Sequence, residues 1–194
     1  ITPSQMPRKS LWDAALYAEA NYKFLPHFLL NAGVRLSVLH APASAYYAAK
    51  TFVMPEPRAE LSFIPNASHR FSASYTQAAQ SIHMLTTSSV GIPSDMWMPA
   101  NALLKPSVMR QLALGYEYNF PDKEYTLSLE AYMRRTSHVV DYRKNADIFQ
   151  NDRIEDEVET GSARGCGLEF YLSKNKGAVT GWISYTLSRA RNRI

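Results

Sequence analysis

The side chains able to do chemistry are thinly spread along this 194-residue chain. His27, His40, His69, His83 and His138 are scattered, with no HExxH or other ligand spacing. Serines are numerous, yet none sits in a nucleophile elbow, and no glycine-rich phosphate loop is present. Cys166 is the only cysteine, which excludes a disulfide framework and a multi-cysteine metal site. Glu130 and Glu169 are carboxylates that a hydrolase would pair, but they fall on the polar phases of two separate alternating runs, where structural charge is the expected role. No catalytic group, metal ligand set or cofactor is assigned, and the expectation is a protein that is not an enzyme. Ligand candidates remain in the long connectors: Tyr46 and Tyr47 in the first, His83, Met84, Met96, Trp97 and Met98 in the second. Binding residues sit on loops held by a rigid scaffold. Methionine with histidine suits haem or copper, and aromatics suit stacking on sugars. The plainer expectation for Met96-Trp97-Met98 is that it packs its own long loop onto the wall below.

The elements that carry these loops show strict alternation, the mark of strands with one apolar face. From Trp12 to Phe24 every even position is apolar, while Asp13, Glu19 and Lys23 share the other phase. A helical rival for this alanine-rich run would not collect its charges on a two-residue period. Further runs cover 28–38, 58–63, 71–76, 111–120, 125–134, 167–173 and 179–188, giving eight expected strands. Several reach ten residues, longer than the usual five or six of soluble strands and suited to a tilted bilayer crossing. No run of eighteen apolar residues offers a spanning helix, and the first ten residues do not read as a signal peptide.

The connectors fall into two classes that alternate. Tight turns are expected at Leu25-Pro26, Pro65-Asn66-Ala67-Ser68, Pro121-Asp122-Lys123 and 174–177. Long connectors are expected at about 40–56, 80–106 and 137–162. Tight turns at one end and long loops at the other describe an outer-membrane barrel. Tyr22, Phe24, Phe28, Phe63, Phe71, Tyr118, Phe120 and Tyr125 gather beside the tight turns, as an interfacial aromatic girdle would. The net charge of +4 does not indicate nucleic acid, because Lys and Arg are interleaved with acids and form no five-residue block.

Particular segments then carry a resemblance. Pro55-Glu56-Pro57-Arg58 opens a strand, followed by 72–80 and His83. Pro93-Ser94-Asp95-Met96-Trp97-Met98-Pro99 and Lys105-Pro106-Ser107 come next. Leu114-Gly115-Tyr116, Glu130-Ala131-Tyr132, Glu159-Thr160-Gly161, Gly165, Gly167 and Glu169 continue the series, which ends in Gly181-Trp182-Ile183-Ser184-Tyr185-Thr186-Leu187-Ser188-Arg189. Their order and spacing resemble the barrel of TonB-dependent outer-membrane receptors, especially those of Bacteroidota. Cys166 stands where that pattern has an aromatic residue.

The resemblance implies an all-β, antiparallel, up-and-down transmembrane barrel segment of about eight strands, with long extracellular loops and short periplasmic turns. Residues 1–194 would be part of a roughly twenty-two-stranded barrel domain, with neither plug nor TonB box in view. Its implied role is TonB-energised uptake of a nutrient across the outer membrane of a Gram-negative bacterium. Implied partners are membrane lipid, the protein's own plug, TonB and a surface lipoprotein lid. The charged phase holds Asp13, Glu19 and Lys23 with Arg35, Arg58, Glu60, Glu117, Glu130, Arg134 and Glu169; the last seven are the candidates to face the plug. Facing lipid, Arg or Lys would cost about 2–4 kcal/mol at the midplane, so both a hydrated lumen and a plug contact place them inside. Two other architectures stay open at this point: a soluble β-sandwich binding or adhesin module, and a complete small eight-stranded outer-membrane barrel.

Overall fold

A computed structural model describes residues 9–87, 94–122, 124–144, 146 and 153–194. Among these described residues ten strands form: β1 (Trp12–Leu25), β2 (Phe28–Ala41), β3 (Lys50–Phe63), β4 (His69–Gln80), β5 (Ile82–Thr87), β6 (Ser94–Pro99), β7 (Ser107–Asn119), β8 (Tyr125–Tyr142), β9 (Val158–Lys174) and β10 (Gly181–Arg193). Eight of them make one antiparallel meander in the order β1-β2-β3-β4-β7-β8-β9-β10. The other two, β5 and β6, pair as a separate hairpin within the second long connector. The eight-strand expectation therefore holds for the wall.

Each strand's alternation survives in the register, so like faces meet across every pair. One row runs Tyr22, Leu30, Leu61, Ala73, Leu114, Ala131, Leu168, Leu187 across all eight strands. A row on the opposite face runs Lys23, Leu29, Ser62, Ser72, Gly115, Glu130, Glu169, Thr186. The large apolar side chains are left uncovered: Leu16, Leu114, Met133 and Leu187 are each at least 60% exposed. A continuous exposed apolar face of this extent marks contact with lipid or a partner, not water. Beside the short turns the rings contact one another in series, from Tyr22 through Phe24, Phe28, Phe63 and Phe71 to Tyr116, at centroid separations of 4.7–6.3 Å. His69, Tyr118, Phe120 and Tyr125 continue the belt.

Four details depart from the expectations. The strands run further into the long connectors: β3 begins at Lys50, β8 continues to Tyr142 and β9 begins at Val158. The second connector is not all loop, because it contains β5 and β6. β1 and β10 lie at opposite edges of the sheet, so the eight strands do not close into a small complete barrel. Among the described residues no second sheet of comparable size packs on either face, which removes the sandwich.

Two prolines inside β3 have a local explanation. Proline lacks the N–H that a ladder needs and is confined to edges. β3 pairs with β4 only from Arg58 to Phe63, so Pro55 and Pro57 lie on a stretch whose β4 side is free. Side chains replace the missing ladder: Gln77 Nε2 donates to the Pro55 carbonyl at 2.8 Å, and the Ala79 N–H donates to Glu56 Oε2 at 3.1 Å.

Candidate functional site

The long-loop end is a packed assembly. β5 and β6 turn one face inward, with His83 opposite Met98 and Leu85 opposite Met96. Leu85, Met98, Leu104, Val140 and Ile154 form a buried cluster joining this hairpin to β8 and the third connector, with Met96 packed against it. Polar contacts tie the connectors together further. Asn101 Nδ2 donates to Glu155 Oε1 at 3.1 Å, Lys9 pairs with the same carboxylate at 2.5 Å, and the Arg153 guanidinium lies 5.3 Å above the Tyr46 ring.

This arrangement separates the loop candidates. His83 and Met98 are buried, at 5% and 1% exposure, and Met96 is half-buried. Met84 and Trp97 lie opposite each other on the outward face of the hairpin, at 48% and 64% exposure. Tyr46 is exposed under Arg153, and Tyr47 is half-buried. Packing thus describes Met96 and Met98, whereas Trp97 is left free to meet something from outside.

His83 is a structural clamp. Its Nε2 lies 3.1 Å from the Lys105 carbonyl, which can only accept, so Nε2 carries the proton. Nδ1 is 3.4 Å from Ser107 Oγ, and that hydroxyl donates to the His138 carbonyl at 2.7 Å. Burial, with His138 nearby, holds the His83 pKa below the ordinary histidine value against the smaller opposing pull of the Lys105 carbonyl. His138 itself takes a left-handed backbone (φ 57) at the register shift of β8, which is unusual for a non-glycine residue.

On the charged face the structure brings several predicted residues together. Arg58 pairs with Glu19, and Arg70 Nη2 donates to Glu60 Oε1 at 2.6 Å. Arg35 approaches Glu56 at 3.8 Å, and Ser37 donates to the same carboxylate at 2.5 Å. Glu117 accepts from Asn119 Nδ2 at 2.8 Å. Arg134 Nε donates to Gln111 Oε1 at 2.8 Å, and its guanidinium lies 5.8 Å from the Tyr132 ring centroid. The outer end of that ring lies against Gly167, where a Cβ would come 2.8 Å from Cε1, Cζ and Oη, so a larger residue there would displace the ring. Glu130 and Glu169 are direct cross-strand partners, both exposed, with no hydrogen bond or ion pair among the described residues.

Sequence reading missed two members of this network. Glu56 lies between two prolines at the boundary of the first long connector, before the alternating run at 58–63, and Arg70 precedes the run at 71–76 that marks β4. Strand length would have found both, since a crossing of ten or more residues must extend past each short alternating run.

Comparison with known proteins fits this architecture. The family model described as TonB dependent receptor-like, beta-barrel matches residues 2–193. Among solved structures, the chain is similar to the FrpB iron transporter from Neisseria meningitidis, with 16% identity and a TM-score of 0.67 over 93% of this chain and 26% of that one. It is similar to the siderophore receptor PiuA from Acinetobacter baumannii, with 16% identity and a TM-score of 0.65 over 93% of this chain and 25% of that one. The alcaligin outer-membrane receptor FauA from Bordetella pertussis gives 16% identity and a TM-score of 0.62 over 94% of this chain and 30% of that one. No curated protein sequence matches the chain. The chain spans about a quarter of the length of the solved structures named first. With one exposed apolar face, one charged face and long loops gathered at a single end, the chain belongs to the family of TonB-dependent receptor-like β-barrels of the Gram-negative outer membrane.

Proposed function

We propose that this chain supplies wall and external loops to a receptor that imports a nutrient across the outer membrane, using energy delivered through TonB. The observation that carries this is the eight-strand sheet, apolar on one face from the short turns upward and charged on the other, with β1 and β10 at edges where a larger barrel would continue. In this reading the charged face lines a lumen occupied by the protein's own plug. Arg35, Arg58, Glu60, Glu117 and Arg134 already have partners on the wall and present a preorganised polar surface to it. Glu130 and Glu169 face each other across β8 and β9, and like charges in that position destabilise a sheet. A basic plug side chain between them would relieve that repulsion.

On the outer side, ligand meets the exposed residues of the loop assembly: Met84, Trp97, Tyr46 and Tyr47. Their chemistry favours an organic chelate or another molecule with a stackable surface over a bare ion. Among the described residues no group of three His, Cys, Asp or Glu is placed to hold a metal. A surface lipoprotein lid belongs to the same reading, as a cover for these loops. The test is uptake in the host of origin, using a panel of labelled chelates and glycans. Uptake of one substrate should disappear on deleting the receptor gene and equally on deleting TonB. Uptake that survives loss of TonB would overturn the energised mechanism.

A further inference from the structure

The outward face of β7 to β10 changes character at one height. Going up from the short turns, β8 presents Tyr125, Leu127, Leu129, Ala131 and Met133, and then Arg135. β9 likewise goes from Leu172 to Cys166 and then to Arg164. β7 reaches Arg110 after Leu112, and β10 reaches Arg189, Arg191 and Arg193 after Leu187. The ladder sets Arg110 opposite Arg135, Arg135 opposite Arg164 and Arg164 opposite Arg191. Four guanidinium-bearing side chains therefore stand in line on strands about 4.8 Å apart.

This row has no protein counter-charge. All four arginines are exposed, and among the described residues none makes an ion pair; Arg110 donates to Gln77 Oε1 at 2.9 Å. The same phase of β7 to β10, as far as the β8 register shift, carries no Asp or Glu. Like charges directly opposite one another destabilise a sheet, so four in succession call for an external anion. The feature is also local. On β2 and β3 the outward phase stays apolar further up, through Leu36, Val38 and Val53.

Height identifies the anion. Ten residues at about 3.3 Å each, on a strand tilted about 40°, rise roughly 25 Å, the height of the apolar band of such barrels. The arginines thus emerge where hydrocarbon gives way to headgroups on the long-loop side. Guanidinium is the planar fork that binds phosphate bidentately, and neighbouring strands place two forks within reach of one phosphate. We propose that the row Arg110, Arg135, Arg164 and Arg191 is a docking surface for the phosphates of a phosphorylated glycolipid of the outer leaflet. The inference rests on the lipid-facing reading above.

The test uses the full-length receptor in phosphatidylcholine nanodiscs doped with diphosphoryl lipid A or with its dephosphorylated form, with retained lipid counted by native mass spectrometry. The native receptor should retain the phosphorylated lipid at least tenfold better than the dephosphorylated one. The quadruple Arg→Gln variant should lose that preference, the quadruple Arg→Lys variant should keep most of it, and the lumen-face control Arg134→Gln should keep all of it. Equal retention by the native and Arg→Gln receptors overturns the proposal. So does displacement of the lipid by millimolar inorganic phosphate with no dependence on the acyl chains, which assigns the row to a soluble anion. A separate measurement isolates the underlying reading: tryptophan at position 129, introduced as Leu129→Trp, should be quenched by brominated acyl chains. Quenching without phosphate preference removes only the docking surface, whereas no quenching removes the lipid-facing wall and the proposal with it.

Discussion

At the scale of single residues, His83 carries a pH dependence whose sign follows from its surroundings. The packed loop holds the neutral ring, and its pKa lies below the ordinary value of 6.5. A group with a lowered folded pKa of this kind binds protons more readily once released. Its contribution is therefore complete above about 6.5 and is lost as pH falls from there through the folded pKa. Amide exchange of residues 82–87, corrected for intrinsic chemistry, should show protection at pH 7.5 that weakens at pH 5.5. The His83→Gln receptor should show no such change between the two values, and a native hairpin equally protected at both would count against the clamp. Residue chemistry of this sort was hidden in the sequence. His83 and His138 lie far apart in the chain, and only the approach of Ser107 to both shows that they share one place.

Among elements, what could be read in advance follows from how cleanly each strand separates its faces. The eight wall strands alternate over the stretch that rises from the short turns, as the proposed barrel requires of a wall with an apolar medium on one side and a polar one on the other. The hairpin of β5 and β6 hid in the same sequence because both of its faces are partly apolar. His83, Leu85, Met96 and Met98 turn inward, while Ile82, Met84 and Trp97 turn out, so period two is blurred over six residues. The first residues of β3, Lys50 to Met54, were hidden for another reason, since Pro55 and Pro57 read as the opening of a strand and can lie inside one only because β4 leaves that side unpaired. The inward residues should hold the hairpin down and the outward ones should not. Met98→Ala empties a site in the buried cluster, at a cost of about 2–3 kcal/mol of local stability. Exchange of the amides of β5 should then rise roughly 30- to 160-fold. Trp97→Ala should leave that exchange unchanged; a comparable rise would mean that Trp97 holds the assembly together and is not free for ligand.

For the molecule as a whole, the decisive property is that one sheet carries two chemically different faces, which in the proposed barrel meet two media, and adjacent residues of one strand report on each. Ser128 faces the charged side, opposite Glu117 on β7, while Leu129 faces the apolar side between Tyr116 and Phe170. Arginine at 129 would have to sit in hydrocarbon near the middle of the band, at a cost of about 2–4 kcal/mol. Arginine at 128 would instead face an existing carboxylate across the ladder and stay hydrated in the lumen. Guanidinium unfolding of the full-length receptor from phosphatidylcholine vesicles should therefore show a clear fall in midpoint for Leu129→Arg and little change for Ser128→Arg. A shift of one residue reverses the side chain's medium, because the side-chain period of a strand is two. A soluble wall would give the two substitutions similar, small effects, since water would then reach both faces. That contrast also explains why the arginine row lies where it does. In the proposed membrane setting, the same side chain that is excluded at 129 is admitted at 135, six residues further along the same face, where the bilayer core would end.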